Sequence, residues 1–100
     1  MRVHTEAVQF KADQKLTQFI ERKLSKVEHF FDKIIEARVT LKLENSGQIR
    51  DKIAEVRLML PGEVLVAKAS NKTFEASVDS ITQSLKRQIK RYKHKIRKRK

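Results

Sequence analysis

Cysteine is absent from this chain. Disulfides, thiolate metal sites and cysteine nucleophiles are thereby excluded. Tryptophan is absent too, and there are only one proline and two glycines. Little chain is left for irregular loops, so regular elements should cover most of the 100 residues. That length suits one domain with one modest core. No apolar run approaches the ~18 residues of a membrane span. The opening MRVHTEAVQF has no apolar stretch of signal-peptide length. The expectation is a cytoplasmic protein.

Catalytic patterns are missing as well. His4, His29 and His94 fall in different elements, with no spacing that suggests a metal site or a triad. There is no glycine-rich phosphate loop and no nucleophile elbow. The chain is read as a non-enzyme with no catalytic residue, cofactor, metal or small-molecule substrate.

What the chain has in excess is positive charge. Its net charge is +12, and the charge is unevenly placed. From Lys86 to Lys100 there are ten Lys/Arg and no acid, whereas the remainder is nearly balanced. Such asymmetry points to a polyanion partner. The competing reading is a solubilising tail, against which ten uncompensated charges set a cost in self-repulsion.

Arg2 to Phe10 reads as a strand, with Val3, Thr5 and Ala7 on one face and Val8 and Phe10 on the other. Asp13 to about Phe31 reads as a helix with Asp13 as N-cap. Leu16, Phe19, Ile20, Leu24, Val27, Phe30 and Phe31 recur at helical spacing and form its buried stripe. Lys15, Arg22, Lys26, His29 and Lys33 project on one flank, and Glu21, Glu28 and Asp32 on the other. Lys23 falls inside the apolar arc, so its stem should lie on the core with the ammonium at the rim.

Glu36 to Glu44 alternates cleanly and predicts a strand, followed by a turn at Asn45-Ser46-Gly47. Lys52 to Leu60 and Glu63 to Ser70 are two further strands joined by the Pro61-Gly62 turn. Thr73 opens a last helix running to Ile96. Its stripe is Phe74, Val78, Ile81, Leu85, Ile89, Tyr92 and Ile96. The order β-α-β-β-β-α predicts an α+β fold: a four-stranded mixed sheet with both helices on one face, like a double-stranded-RNA-binding domain. The first two strands should pair in parallel through a crossover and the rest should form an antiparallel meander. With no internal repeat or linker, residues 1–96 are expected to be a single domain and 97–100 a basic tail.

Lys86, Arg87, Lys90, Arg91, Lys93, Lys95 and Arg97 fill almost all of the last helix outside its apolar stripe. A helix basic on every exposed side suits a cleft in folded RNA, where phosphates converge from several directions. Lys15, Arg22, Lys26 and Lys33 are either a solvated face or a second strip of the same surface. Five of the six aromatics (Phe10, Phe19, Phe30, Phe74 and Tyr92) fit core stripes, so a base-stacking sheet platform is poorly supported. Membrane-surface binding is disfavoured, because the narrow apolar stripe is needed to cover the sheet.

Two segments, ERKLSKVEHFFDKI (Glu21 to Ile34) and EASVDSITQSLKRQIKRYKHK (Glu75 to Lys95), together with the element order, resemble the short form of the bacterial ribosome hibernation promoting factor family. That family includes the ribosome-associated inhibitor protein Y. The most specific matches are Lys23, Leu24 and Lys26, then Val78, Asp79, Leu85, Arg87, Gln88, Ile89, Lys93 and Lys95. The resemblance covers essentially the whole chain. It implies a translation inhibitor of stationary phase or stress. The free protein is expected to be monomeric. Its partner would be the whole ribosome, bound in the small-subunit channel for messenger and transfer RNA. By position, Lys23, Lys26, Arg87, Gln88, Arg91, Lys93 and Lys95 inherit the ribosomal-RNA contacts. Helix geometry adds Lys86, Lys90 and Arg97, with Lys15, Arg22 and Lys33 secondary. The alternative is a structured-RNA module acting off the ribosome. Long-form members carry a further C-terminal domain that pairs ribosomes, and that route is not expected here. Ser70 to Phe74 departs from the more acidic or tyrosine-containing pattern of the family.

Overall fold

The computed structural model describes residues 1–46 and 49–98. The strands are β1 (Arg2–Val8), β2 (Glu36–Ser46), β3 (Ile49–Leu60) and β4 (Glu63–Asn71), and the helices are α1 (Gln14–Phe30) and α2 (Phe74–Lys98). The sheet order is β1-β2-β3-β4. β1 and β2 are parallel, as a helical crossover allows, and the other pairs are antiparallel.

Strand alternation decides which face is covered. Ala37, Val39 and Leu41 of β2, Ala54, Val56, Leu58 and Leu60 of β3, and Leu65 and Ala67 of β4 are buried. They form one cluster with Leu16, Ile20, Leu24 and Val27 of α1 and Phe74, Val78, Ile81, Leu85 and Ile89 of α2. Both helices therefore cover the same face of the sheet, as predicted. The opposite face carries bases and acids in balance. Arg2, Arg38, Lys42, Arg57 and Lys68 sit among Glu6, Glu36, Glu44, Asp51 and Glu55. Some are directly paired: Glu36 with Arg38 at 2.9 Å and with His4 at 3.1 Å, and Glu55 with Arg57 at 3.7 Å. The Arg38 hydrogen bond holds the Glu36 carboxyl below its ordinary range.

The helix starts are as the sequence predicts. The Asp13 side chain accepts from the Leu16 N–H at 2.8 Å, and the Thr73 hydroxyl accepts from the Ala76 N–H at 3.1 Å. Four local details differ. β1 ends at Val8 because Gln9 takes a left-handed φ of 62°. That breaks the alternation, so Phe10 turns onto the core and stacks on Phe74 with ring centroids 5.3 Å apart. The β2–β3 hairpin is longer than expected: Asn45 pairs with Arg50 and Ser46 with Ile49. Asn45 and Ser46 thus belong to the strand rather than the turn, and Gly47 lies outside the described residues. α2 continues through Lys98, two residues past Ile96, while Arg99 and Lys100 lie outside the described residues. Finally, Ser77 and Thr82 are buried although they lie outside the apolar stripe of α2. Ser77 donates to the Lys52 carbonyl at 2.7 Å, and Thr82 donates back to Asp79 at 2.8 Å, so neither leaves an unpaired group.

Twenty-five residues make α2 about 37 Å long at 1.5 Å per residue, well beyond the 17-residue α1. The protein is elongated accordingly, with extents of 52 × 26 × 18 Å.

Candidate nucleic-acid interface

Two contacts fix how the helices face one another. Lys23 of α1 bonds Asp79 near the start of α2 at 2.7 Å. Lys93, further along α2, donates to the Phe30 carbonyl at the end of α1 at 2.8 Å. The helices therefore run parallel, and helical projection follows from these two points. On α1, Arg22, Lys26 and His29 lie on the flank toward α2. The acidic flank points the other way, where Glu28 pairs with the Met1 amino group at 2.7 Å. On α2, Lys86, Lys90 and Arg97 share the sector of Asp79 and Lys93, facing α1. Arg91 and Lys95 lie on the β4 side, around a hollow with Glu63 and Leu65, and Arg87 points outward between the two sectors. The two basic strips thus flank one groove between the helices.

Among the described residues, Lys15, Arg22, Lys26, Lys33, Lys86, Arg87, Lys90, Arg91, Lys95 and Arg97 are exposed with no carboxylate in ion-pair range. Nine of these ten free cations lie on the two helices, opposite a sheet face whose charges cancel; Lys33, expected on the basic flank of α1, falls in the turn beyond it because α1 ends at Phe30. An unpaired cluster of one sign on one side of a small protein sets up a positive field over that side, which attracts anions.

Three of the sequence-predicted site residues have other work. The Lys23 ammonium sits on Asp79 and 5.5 Å above the Phe19 ring, as its place in the apolar arc foreshadowed. The Gln88 amide donates to the Val66 carbonyl on the free edge of β4 at 3.1 Å and to the Ser84 hydroxyl at 3.2 Å. It thereby ties α2 to an edge strand that would otherwise present an open acceptor. Lys93 places a cation on the C-terminal carbonyls of α1, where the helix dipole favours it. Its ammonium also lies 4.4 Å from the Phe30 ring centroid and 5.5 Å from that of Phe31. Any phosphate contact by these three competes with bonds that hold the fold.

Lys93→Met keeps the aliphatic stem and removes these bonds. It is expected to cost about 1–2 kcal/mol, the range for a partly buried charge at a helix C-terminus and a charge-assisted hydrogen bond. Thermal denaturation should show a drop of several degrees. An unchanged melting temperature would mean that Lys93 is as free as its exposed neighbours.

The arrangement offers electrostatic attraction for anions. No group of three or more metal-ligating side chains occurs among the described residues. No described helix is long and apolar enough to cross a membrane.

Comparison with known proteins gives a consistent picture. The family described as "Sigma 54 modulation protein / S30EA ribosomal protein" matches residues 3–97. A ribosome hibernation promoting factor of Pseudomonas putida is 33% identical over 95 residues, covering 95% of this chain and 89% of that protein. A ribosome hibernation promotion factor of Deinococcus radiodurans is 30% identical over 80 residues, covering 78% of this chain but 41% of the longer relative. In fold, the chain is similar to a ribosomal subunit interface protein from Coxiella burnetii, with a TM-score of 0.83 at 21% identity. That match covers 94% of this chain and 99% of the other. It is also similar to the N-terminal domain of Thermus thermophilus protein Y, with a TM-score of 0.73 at 19% identity, over 92% of this chain and 99% of that domain.

Proposed function

Because the chain belongs to the S30EA family, with ribosome hibernation promoting factors among its relatives, we propose that it is a ribosome-binding translation inhibitor of the cytoplasm. It inserts as a monomer into the messenger- and transfer-RNA channel of the small subunit, with residues 1–96 as the binding domain and the basic tail beyond. Its helical layer neutralises ribosomal-RNA phosphates, and occupancy of the channel keeps idle ribosomes out of translation under stress. No bond is made or broken, so inhibition is steric and electrostatic.

The observation that carries this reading is the set of unpaired cations on both helices, set against a charge-balanced sheet. Lys26, Lys86, Arg87, Lys90, Arg91, Lys95 and Arg97 are the principal phosphate ligands, and Lys15, Arg22 and Lys33 extend the strip. A groove with cations on both walls fits phosphate strands approaching from two sides better than the single exposed surface of a straight duplex.

Co-sedimentation with whole ribosomes and separated subunits over a salt series tests it. The expected result is comigration with small subunits and with ribosomes. About 0.7–0.9 is expected on the log–log salt slope for each phosphate engaged. Binding to free structured RNA but not to small subunits would replace this reading with that of an RNA module acting off the ribosome.

A further inference from the structure

The groove between the helices widens into a cleft at its distal end, and charge alone does not account for that cleft. α1 stops at Phe30, and its cap residue Phe31 has extended backbone at φ −153°. α2 continues, so the last residue of its apolar stripe, Ile96, runs past the end of α1. The result is a cleft of about 440 Å³ lined by His29, Phe30, Phe31, Asp32, Lys93, Ile96 and Arg97. Volumes of about 300–1,000 Å³ are typical of clefts that hold small ligands.

Its chemistry divides into two parts. Phe30 is half-buried, Phe31 is buried, and Ile96 is 41% exposed, so the lining has an apolar floor. The core does not need Ile96, because the stripe above it already ends on Tyr92, whose hydroxyl donates to the Pro61 carbonyl at 2.8 Å. Around the floor stand a free guanidinium, Arg97, an exposed imidazole, His29, and one carboxylate, Asp32. The Lys93 ammonium is fixed over Phe30, with N–H donors to spare beyond its bond to the Phe30 carbonyl.

A flat apolar group with polar edges, joined to a phosphate, matches this lining. We propose that the cleft takes one unstacked RNA nucleotide, with its base against Phe30 and Ile96 and its phosphate at Arg97. Asp32 keeps the phosphate from the opposite rim and accepts from the N–H groups of the base edge. Splayed-out bases held on aromatic side chains are the general way proteins read unpaired RNA. The inference rests on the RNA-binding reading above and adds a base contact to it, on the helical side of the molecule rather than on a sheet platform.

Three hairpin RNAs of equal stem length test it: one fully paired, one with a single bulged adenosine, and one with an abasic residue at the bulge. The full chain should bind the bulged adenosine roughly tenfold more tightly than either of the others, within the range for stacking a single base. Ile96→Ser should abolish that preference and leave affinity for the paired stem unchanged. His29→Ala, in this cleft but not in the neighbouring hollow beside Pro61 and Gly62 that Ile96 also lines, should reduce it too. Equal affinity of the wild type for the adenosine and abasic bulges would overturn the proposal, as would an undiminished preference in Ile96→Ser. Loss in Ile96→Ser with full retention in His29→Ala would overturn the assignment to this cleft. Failure to bind any of the three RNAs even at low salt, where attraction to phosphates is strongest, would overturn the RNA-binding reading itself.

Discussion

Replacing Lys86, Arg87, Lys90 and Arg91 together by glutamine is expected to weaken binding to the small ribosomal subunit by about a thousandfold at roughly 0.1 M salt. The estimate follows from counterion release. Each phosphate contact adds about 0.7–0.9 to the slope of log affinity against log salt. At that salt, each contact is then worth close to one decade, and four are worth about three. The slope itself should fall by about three. The four residues sample the groove side, the outer side and the β4 side of α2, so the variant tests the whole circumference of the helix. All four are exposed and unpaired among the described residues, so their loss leaves no buried group without a partner. Removing four like charges relieves self-repulsion. The melting temperature should therefore hold or rise slightly. An unchanged affinity and slope would reduce α2 to a solubilising element.

The choice of those four depends on what the sequence did not disclose. Strand alternation in β2 and β3 was legible because one face is buried and side chains point alternately to opposite faces. The stripes of both helices were legible for the same reason at a helical period. Both helices on one face followed from their two apolar stripes needing a common cover. By contrast, the residues that join elements could not be read from local pattern. Lys93 and the Phe30 carbonyl are 63 positions apart, and Gln88 and Val66 are 22 apart. Nothing about a lysine in a run of lysines marks it as the one over a helix terminus. Lys23 did carry a local signal, since a charged residue within an apolar arc must place its head at a rim. Its partner Asp79 belongs to a matched motif, so the two motif segments meet in the fold.

The remaining misreadings have local causes. Strict alternation puts Phe10 on the same strand face as Val8, but the left-handed backbone at Gln9 shifts the phase, so Phe10 reaches the core on which the sequence places it among the aromatics by a turn and not by the strand. Asn45 and Ser46 have turn composition, yet pairing with β3 carries them into the strand. Ser77 was invisible as a core residue because its burial depends on the Lys52 carbonyl, which only the tertiary fold brings to it. The distal cleft depends on α1 ending before α2 does, and that helix end is set by the extended backbone of Phe31, the turn at Asp32 and Lys33 and the burial of Ile34 rather than by loss of helical pattern.

Leu85→Ala should separate folding from binding in the opposite sense to the charge variant. Leu85 is wholly buried, mid-way along α2, in the cluster that joins both helices to the sheet. Truncation removes its contacts and leaves a cavity, which typically costs about 2–5 kcal/mol. The upper half of that range is expected here. The distal part of α2 projects past the end of α1, so the helix is held down by a short row of residues: Phe74, Val78, Ile81, Leu85 and Ile89. Neighbours on both sides of Leu85 are themselves anchored, and the site has little freedom to collapse. A domain of this size has about 5–15 kcal/mol of stability in all. At about 4–8 °C per kcal/mol, the melting temperature should fall by at least 10 °C. Below that transition the cations of α2 are still displayed on a folded helix. Affinity for small subunits and its salt slope should then match the wild type, and bound RNA should restore part of the lost melting temperature by mass action. A loss below about 1 kcal/mol would show that α2 is not docked through this row. A collapse of affinity at temperatures where the variant is fully folded would show that the exact seating of α2, and not its charge alone, is what the RNA recognises.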